Sequence, residues 1–151
     1  MLSSYDEQHT HAAVRIQVAD GVATVRLAGS IHKAHWVHHF LPFAAKREIR
    51  AGRGIAADII RHNPTAVIIR GYSLGGAIGH VVAATLNKQG VTCRLETYGT
   101  KRPPRGYNYA PATNLKNRGD WVTLLPPFRA RIKTTLTDKP WRPIWRAHAD
   151  Y

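Results

Sequence analysis

The chain has 151 residues, 44% hydrophobic and 21% charged, the proportions of one folded globular domain and not of a disordered segment. Twenty-two Lys and Arg against nine Asp and Glu leave a net charge of +13, a field that concentrates anions such as phosphates, nucleic acid or acidic lipid headgroups. A single cysteine, Cys93, excludes a disulfide framework and a thiolate-only zinc site, and no apolar stretch approaches the ~20 residues of a membrane-spanning helix.

Residues 1–13 are polar and aperiodic and are expected to form a flexible leader before a single domain over 14–151. They lack the basic start and apolar run of a signal peptide, which predicts a cytoplasmic location unless lysis releases the protein. Val14, Ile16 and Val18 alternate with Arg15 and Gln17, and a second alternating run from Val22 to Leu27 follows Asp20-Gly21. Two such runs around Asp-Gly predict an antiparallel hairpin, because that pair accepts the positive φ angles of a tight hairpin turn. Residues 34–62 carry helical residue types, interrupted at Pro42, Gly52 and Gly54, and Asn63-Pro64 ends the segment. Thr65 to Ile69 is a β-branched run without polar alternation, the pattern of a strand buried on both faces. After a turn at Gly71–Gly76, a small-residue helix is expected from Ala77 to about Lys88, stopping near Gly90. Val91–Tyr98 and Tyr109–Leu115 read as further strands around a proline-rich, basic loop. This alternation predicts an α/β fold with a mostly parallel central sheet, right-handed crossovers and an N-terminal antiparallel hairpin.

The turn between buried strand and helix reads Gly71-Tyr72-Ser73-Leu74-Gly75, a G-x-S-x-G pattern. A nucleophilic serine on so tight a turn sits in strained dihedrals, and its neighbours two residues away must lack side chains for the chain to pass. The helix behind it adds partial positive charge where an oxyanion would develop. A phosphate-binding loop would need a lysine here, and none follows.

Gly71-Tyr72-Ser73-Leu74-Gly75-Gly76-Ala77 resembles the G-H-S-L-G-G-A signature of the class 3 (fungal-type) lipases, which are α/β-hydrolases, with Tyr72 in place of the usual histidine. Three further segments match in order. Val25-Arg26-Leu27-Ala28-Gly29-Ser30 with His35-Trp36 is similar to a strand ending in R-G-[TS] with a following D-W, and Thr97-Tyr98-Gly99 to T-[FY]-G-x-P. Asn117 to Val122, with Leu125-Pro126-Pro127 behind, is similar to N-x-x-D-x-V-x-x-L-P-P. The resemblance covers about residues 14–150 and implies a compact α/β-hydrolase with a Ser–Asp–His triad in that chain order. Ser73 would be the nucleophile. Asp120 is preferred over Asp138 and Asp150 because it follows a predicted strand, and of nine histidines only His148 lies beyond it. The oxyanion would be held by the amides of Leu74 and, by resemblance, Ser30. No segment is assignable to a lid, which points to an open site taking small or short-chain esters.

His32, His35, His38 and His39 have helical spacings that leave an imidazole metal site geometrically open, but no cysteine is near and the next acid is Glu48. Neither a metal nor a cofactor is expected. Cys93 and His80 read as structural. Residues 76–151 hold thirteen basic and four acidic side chains, among them Lys101, Arg102, Arg105, Arg118, Arg129, Arg131 and Lys133, with Trp121, Phe128, Trp141 and Trp145 interspersed. That mixture suits an anionic bilayer surface, could bind single-stranded nucleic acid by stacking, or is simply a solvated basic surface. The expected function is a serine esterase or lipase acting on acyl esters, with lipids and anionic phospholipids among the candidate substrates. The alternative is a catalytically silent α/β-hydrolase domain serving as a basic nucleic-acid- or membrane-binding module.

Overall fold

A computed structural model of the chain describes residues 3–4, 12–30, 44–149 and 151, with residues 3, 4, 12, 30, 144 and 145 at backbone level only. Its elements in chain order are β1 (Ser3–Ser4), β2 (Ala12–Ala19), β3 (Val22–Ser30), α1 (Ala44–Arg61), β4 (Ala66–Tyr72), α2 (Leu74–Lys88), β5 (Cys93–Tyr98), β6 (Thr113–Lys116), β7 (Thr135–Leu136) and α3 (Ile144–Ala149). The seven strands form one sheet in simple sequence order, antiparallel from β1 to β3 and parallel from β3 to β7.

The hairpin forms as expected. Asp20 and Gly21 both have positive φ, 50° and 76°, which matches the turn to the twist of β2 and β3. Ala23, Val25 and Leu27 are buried while Arg26 and Ala28 are exposed, so period-two alternation fixes which face meets the core. Parallel pairing of β3 with β4 sets Leu27 opposite Gly71, and pairing of β4 with β5 sets Tyr72 opposite Tyr98. These two registers hold the serine turn between the ends of two neighbouring strands.

Several boundaries differ from the sequence reading. Helix α1 runs unbroken through Gly52 and Gly54. Helix α2 starts at Leu74, directly after the serine, and not at Ala77. Strand β5 begins at Cys93, and β6 is confined to Thr113–Lys116, leaving Tyr109 in the loop before it. Strand β4 alternates instead of being buried on both faces: Val67 and Ile69 are buried, Ile68 is half-buried and Arg70 is exposed and bonded to Glu96 of β5 at 3.2 Å. The physical reason is that α1 and α2 pack against each other and share one core with Val67, Ile69 and Leu95, so the opposite side of β4 is only partly covered. Each fully buried Ile, Leu or Val in that core contributes roughly 1.5–3 kcal/mol of transfer free energy. Ser3 and Ser4, inside the expected leader, pair with Ile16 and Arg15 of β2.

Candidate active site

Ser73 follows β4 without a gap and has φ 51°, ψ −115°, a left-handed-side conformation that a side-chain-bearing residue adopts only under constraint. The constraint is steric and comes from its neighbours. A Cβ on Gly71 would lie 2.6 Å from the Gly75 carbonyl oxygen, and one on Gly75 would lie 2.3 Å from that of Leu27. Only glycine lets the strand fold back onto its own helix so closely. The Ser73 hydroxyl makes no capping bond to α2, which leaves its oxygen for another partner. The Leu74 and Gly75 amides open the helix and have no intrahelical acceptor, the usual state of a first turn.

That other partner is His148. Ser73 Oγ lies 2.8 Å from His148 Nε2, and His148 Nδ1 lies 3.1 Å from each carboxylate oxygen of Asp120. Because a carboxylate only accepts, Nδ1–H donates to Asp120 and Nε2 is left to accept the serine proton. All three side chains are buried. Asp120 also accepts the Val122 amide at 3.1 Å and the Tyr151 hydroxyl at 2.5 Å, so its charge is held in a fixed direction.

His148 stands near the end of the sequence, and three hydrogen bonds dock that segment. Asn117 Nδ2 donates to the Ala147 carbonyl at 2.9 Å, the Tyr72 hydroxyl donates to the His148 carbonyl, and the Asn117 amide donates to Tyr151 Oη at 2.9 Å. Thr100 Oγ1, in the loop after β5, reaches the Ser73 carbonyl at 3.3 Å. Sequence reading missed these roles of Tyr72, Thr100, Asn117 and Tyr151. The only signals were the departure from histidine at Tyr72 and the matched segment that Asn117 opens.

Of the expected oxyanion groups, Leu74 opens α2 beside the serine, and the backbone of Ser30 ends β3. The residue before Ser30 touches the site, since a Cβ on Gly29 would come 3.2 Å from Ser73 Cβ. His32, His35, His38 and His39 lie outside the described residues. Among the described residues no three His, Cys, Asp or Glu side chains could hold a metal ion. Cys93 is buried, and burial pushes its thiol up to about 11, far from a reactive thiolate. Two members of the expected basic surface are elsewhere: Lys101 and Arg129 are buried and paired with Glu48, because α1 supplies a carboxylate under the loop after β5. Trp121, Leu124, Phe128 and Trp141 are exposed, the first three in the segment directly after Asp120.

Solved structures share this architecture. A lipase from Rhizopus microsporus var. chinensis matches with a TM-score of 0.68 at 14% identity over 92% of this chain and 62% of its own. The Lip2 lipase of Yarrowia lipolytica matches with 0.65 at 12% identity over 93% and 65%, and a triacylglycerol lipase from Penicillium expansum with 0.62 at 14% over 89% and 68%. The fold is that of the fungal lipases. The resemblance seen in the motifs is therefore matched at the level of fold, a mostly parallel α/β sheet with the strand–serine–helix turn at its centre. The chain spans less than two thirds of the length of the Rhizopus and Yarrowia lipases. No protein-family model matches the sequence, and no curated protein matches it. Within this lipase fold, Ser73 follows β4, Asp120 follows β6 and His148 comes from α3, three separate segments converging on one point.

Proposed function

We propose that the chain is a serine-dependent carboxylic ester hydrolase of lipase type. The observation that carries this reading is the continuous contact from Ser73 Oγ to His148 Nε2 at 2.8 Å and from His148 Nδ1 to Asp120 at 3.1 Å. In this reading Ser73 Oγ attacks the acyl carbonyl carbon while His148 Nε2 takes its proton. The negative charge that develops on the carbonyl oxygen is held by the Leu74 amide at the start of α2, with Ser30 supplying the second donor. As the C–O bond breaks, His148 returns the proton to the leaving alcohol. Water then attacks the acyl-enzyme with His148 again as base, releasing the acid and restoring the Ser73 hydroxyl. Asp120 holds the imidazole tautomer throughout and stabilises the transient imidazolium.

The partner of this reading is an acyl ester at an anionic lipid surface. Trp121, Leu124 and Phe128 are exposed beside Asp120, and Arg118 and Arg105 are exposed cations on the flanking loops. Aromatic and aliphatic side chains with nearby cations are what an anionic headgroup region accommodates.

The test is covalent. A fluorophosphonate should add its mass to Ser73 of the wild-type protein, and Ser73→Ala should lose both labelling and hydrolysis of p-nitrophenyl esters while its circular dichroism is unchanged. Hydrolysis of an ester in phosphatidylglycerol vesicles should exceed that in phosphatidylcholine vesicles. Undiminished turnover by Ser73→Ala removes the nucleophile, and equal rates in the two vesicles remove the anionic surface.

A further inference from the structure

Tyr72 lies between the nucleophile and the base in a way the reaction scheme does not require. It is the residue directly before Ser73, the last of β4, yet its side chain reaches the other end of the chain. Its ring stacks on the His148 imidazole with centroids 5.3 Å apart and 27° between planes, and its hydroxyl donates to the His148 backbone carbonyl. Room for the ring comes from Gly29, where a Cβ would sit 2.8 Å from Tyr72 Cδ1.

We propose that Tyr72 is a positioning residue for His148: its ring supports one face of the imidazole, and its hydroxyl pins the short helix that carries it. This rests on the ester-hydrolase reading above. Helix α3 has six residues, too few to persist without tertiary support, and its last carbonyls have no intrahelical donors. Two of them find side-chain donors, Ala147 from Asn117 at 2.9 Å and His148 from Tyr72. Asn117 follows β6, so it ties α3 to the strand that precedes Asp120. Tyr72 ties α3 to the serine turn itself, and nucleophile and base then move as one body.

The imidazole has a second aromatic neighbour, the Tyr151 ring, at 6.3 Å and 79°. Stacked on one side and met edge-on from another, with Nδ1 held by Asp120, the ring is left little freedom about its side-chain torsions. Among the described residues, Asp120, Tyr72 and Tyr151 are titratable groups that meet it. Burial first, and the Asp120 charge second, hold the Tyr72 phenol above its ordinary pKa, so its hydroxyl keeps its proton and its donor role at neutral pH. Misplacing a reacting group by about 1 Å can cost about a hundredfold in rate, which is the scale on which such a clamp matters.

The experiment compares wild type, Tyr72→Phe and Tyr72→Ala by fluorophosphonate labelling rate, by kcat and KM on a p-nitrophenyl ester, and by proton NMR of the downfield His148 Nδ1–H resonance. Removing the hydroxyl alone should lower kcat and labelling about three- to tenfold, the worth of one neutral hydrogen bond, with KM within about twofold. Removing the ring as well should lower them about a hundredfold. The downfield resonance should broaden in Tyr72→Phe at a temperature where its circular dichroism is still that of wild type. If Tyr72→Ala does not fold, Tyr72→Phe decides the matter. Rates within twofold of wild type with an unchanged resonance overturn the proposal, as does a rate loss that only tracks the fraction unfolded. A wild-type protein that takes no label at Ser73 overturns the ester-hydrolase reading instead, and the resonance still reports whether Tyr72 holds the imidazole.

Discussion

His80, on the second turn of α2, is fully buried and has both ring nitrogens committed. Nε2–H donates to Asn114 Oδ1 at 2.9 Å, and Nδ1 accepts the Tyr109 amide at 3.1 Å. A second proton would have to enter at Nδ1, where it would face an N–H in place of an acceptor. Burial, opposed in part by the bond to Asn114, brings its pKa from 6.5 to about 4. The unfolded chain takes this proton near pH 6.5 and the folded chain only near 4, so between those values the unfolded state holds more protons. Stability present above pH 6.5 should therefore drain away as the pH falls through that window. At 1.36 kcal/mol per unit, the full loss from this group is about 3 kcal/mol. Urea denaturation at pH 7 and pH 4.5 should show the loss in wild type and a much smaller one in His80→Gln. Equal losses in the two proteins would assign the acid sensitivity elsewhere. Thr97 Oγ1 also donates to Asn114 Oδ1 at 2.7 Å, and Asn114 Nδ2 donates to the Lys133 carbonyl at 3.0 Å. One histidine thus joins α2 to β5, β6 and the approach to β7.

Glycine illustrates why element boundaries were harder to read than element types. In isolation Gly52 and Gly54 weaken a helix by up to about 1 kcal/mol each, and a reading from propensity breaks α1 there. The structure keeps the helix because Gly52 faces α2 at close range: a Cβ at that position would lie 2.5 Å from Val81 Cγ1. Val81 is fully buried and cannot withdraw. Gly52→Ala should consequently destabilise despite its better helix propensity, by about 1–3 kcal/mol for overpacking less the propensity gain. A Tm lowered by roughly 5 °C is expected, and an unchanged or raised Tm would show that the two helices can separate without penalty. The β2–β3 hairpin, β4 and the serine turn were legible because their signals are local: alternation, Asp-Gly, a β-branched run and paired glycines. That Asp120 and His148 would meet Ser73 was expected only from the family resemblance and the chain order it implies. What holds them could not be read, since Tyr72, Asn117 and Tyr151 act through contacts between residues far apart in the chain, and no periodicity encodes those. The short β7 and α3 were also illegible, because neither has a strong periodic face of its own and both are fixed by what they pack against.

At the scale of the whole molecule the excess of positive charge is only partly a surface property. Lys101 and Arg129 are 2% and 5% exposed and converge on Glu48, itself 4% exposed, so that α1, the loop after β5 and the C-terminal segment meet at one carboxylate. Two cations meet one anion at this point, and among the described residues Arg129 Nε and Nη2 have no hydrogen-bond partner. Desolvation, partly offset by the attraction of Glu48, lowers the Lys101 pKa to about 8. Coulomb attraction to Glu48 is the term that makes this arrangement tolerable, because a buried charge without its partner is far more expensive than a surface one. Glu48→Gln keeps the shape and removes the charge, and should destabilise the fold at pH 7 by about 3–5 kcal/mol. For a chain of this length that corresponds to a Tm lower by roughly 10 °C. The deficit should shrink as the pH is raised. The unfolded lysine keeps its proton up to about 10.5, the folded one, already lowered to about 8, is lowered further once Glu48 no longer holds its charge, and in that range the unfolded state binds more protons. Thermal melts of Glu48→Gln at pH 7 and pH 9 should therefore converge towards the wild-type curve at the higher pH. A deficit that stays constant would mean that the loss comes from packing around α1 and not from stranded charge. The same cluster bears on the site, since Lys101 follows Thr100, whose hydroxyl lies 3.3 Å from the Ser73 carbonyl. Neutralising Glu48 loosens the loop that buttresses the serine turn, so in the folded fraction at pH 7 the fluorophosphonate labelling rate of Ser73 should fall along with the Tm.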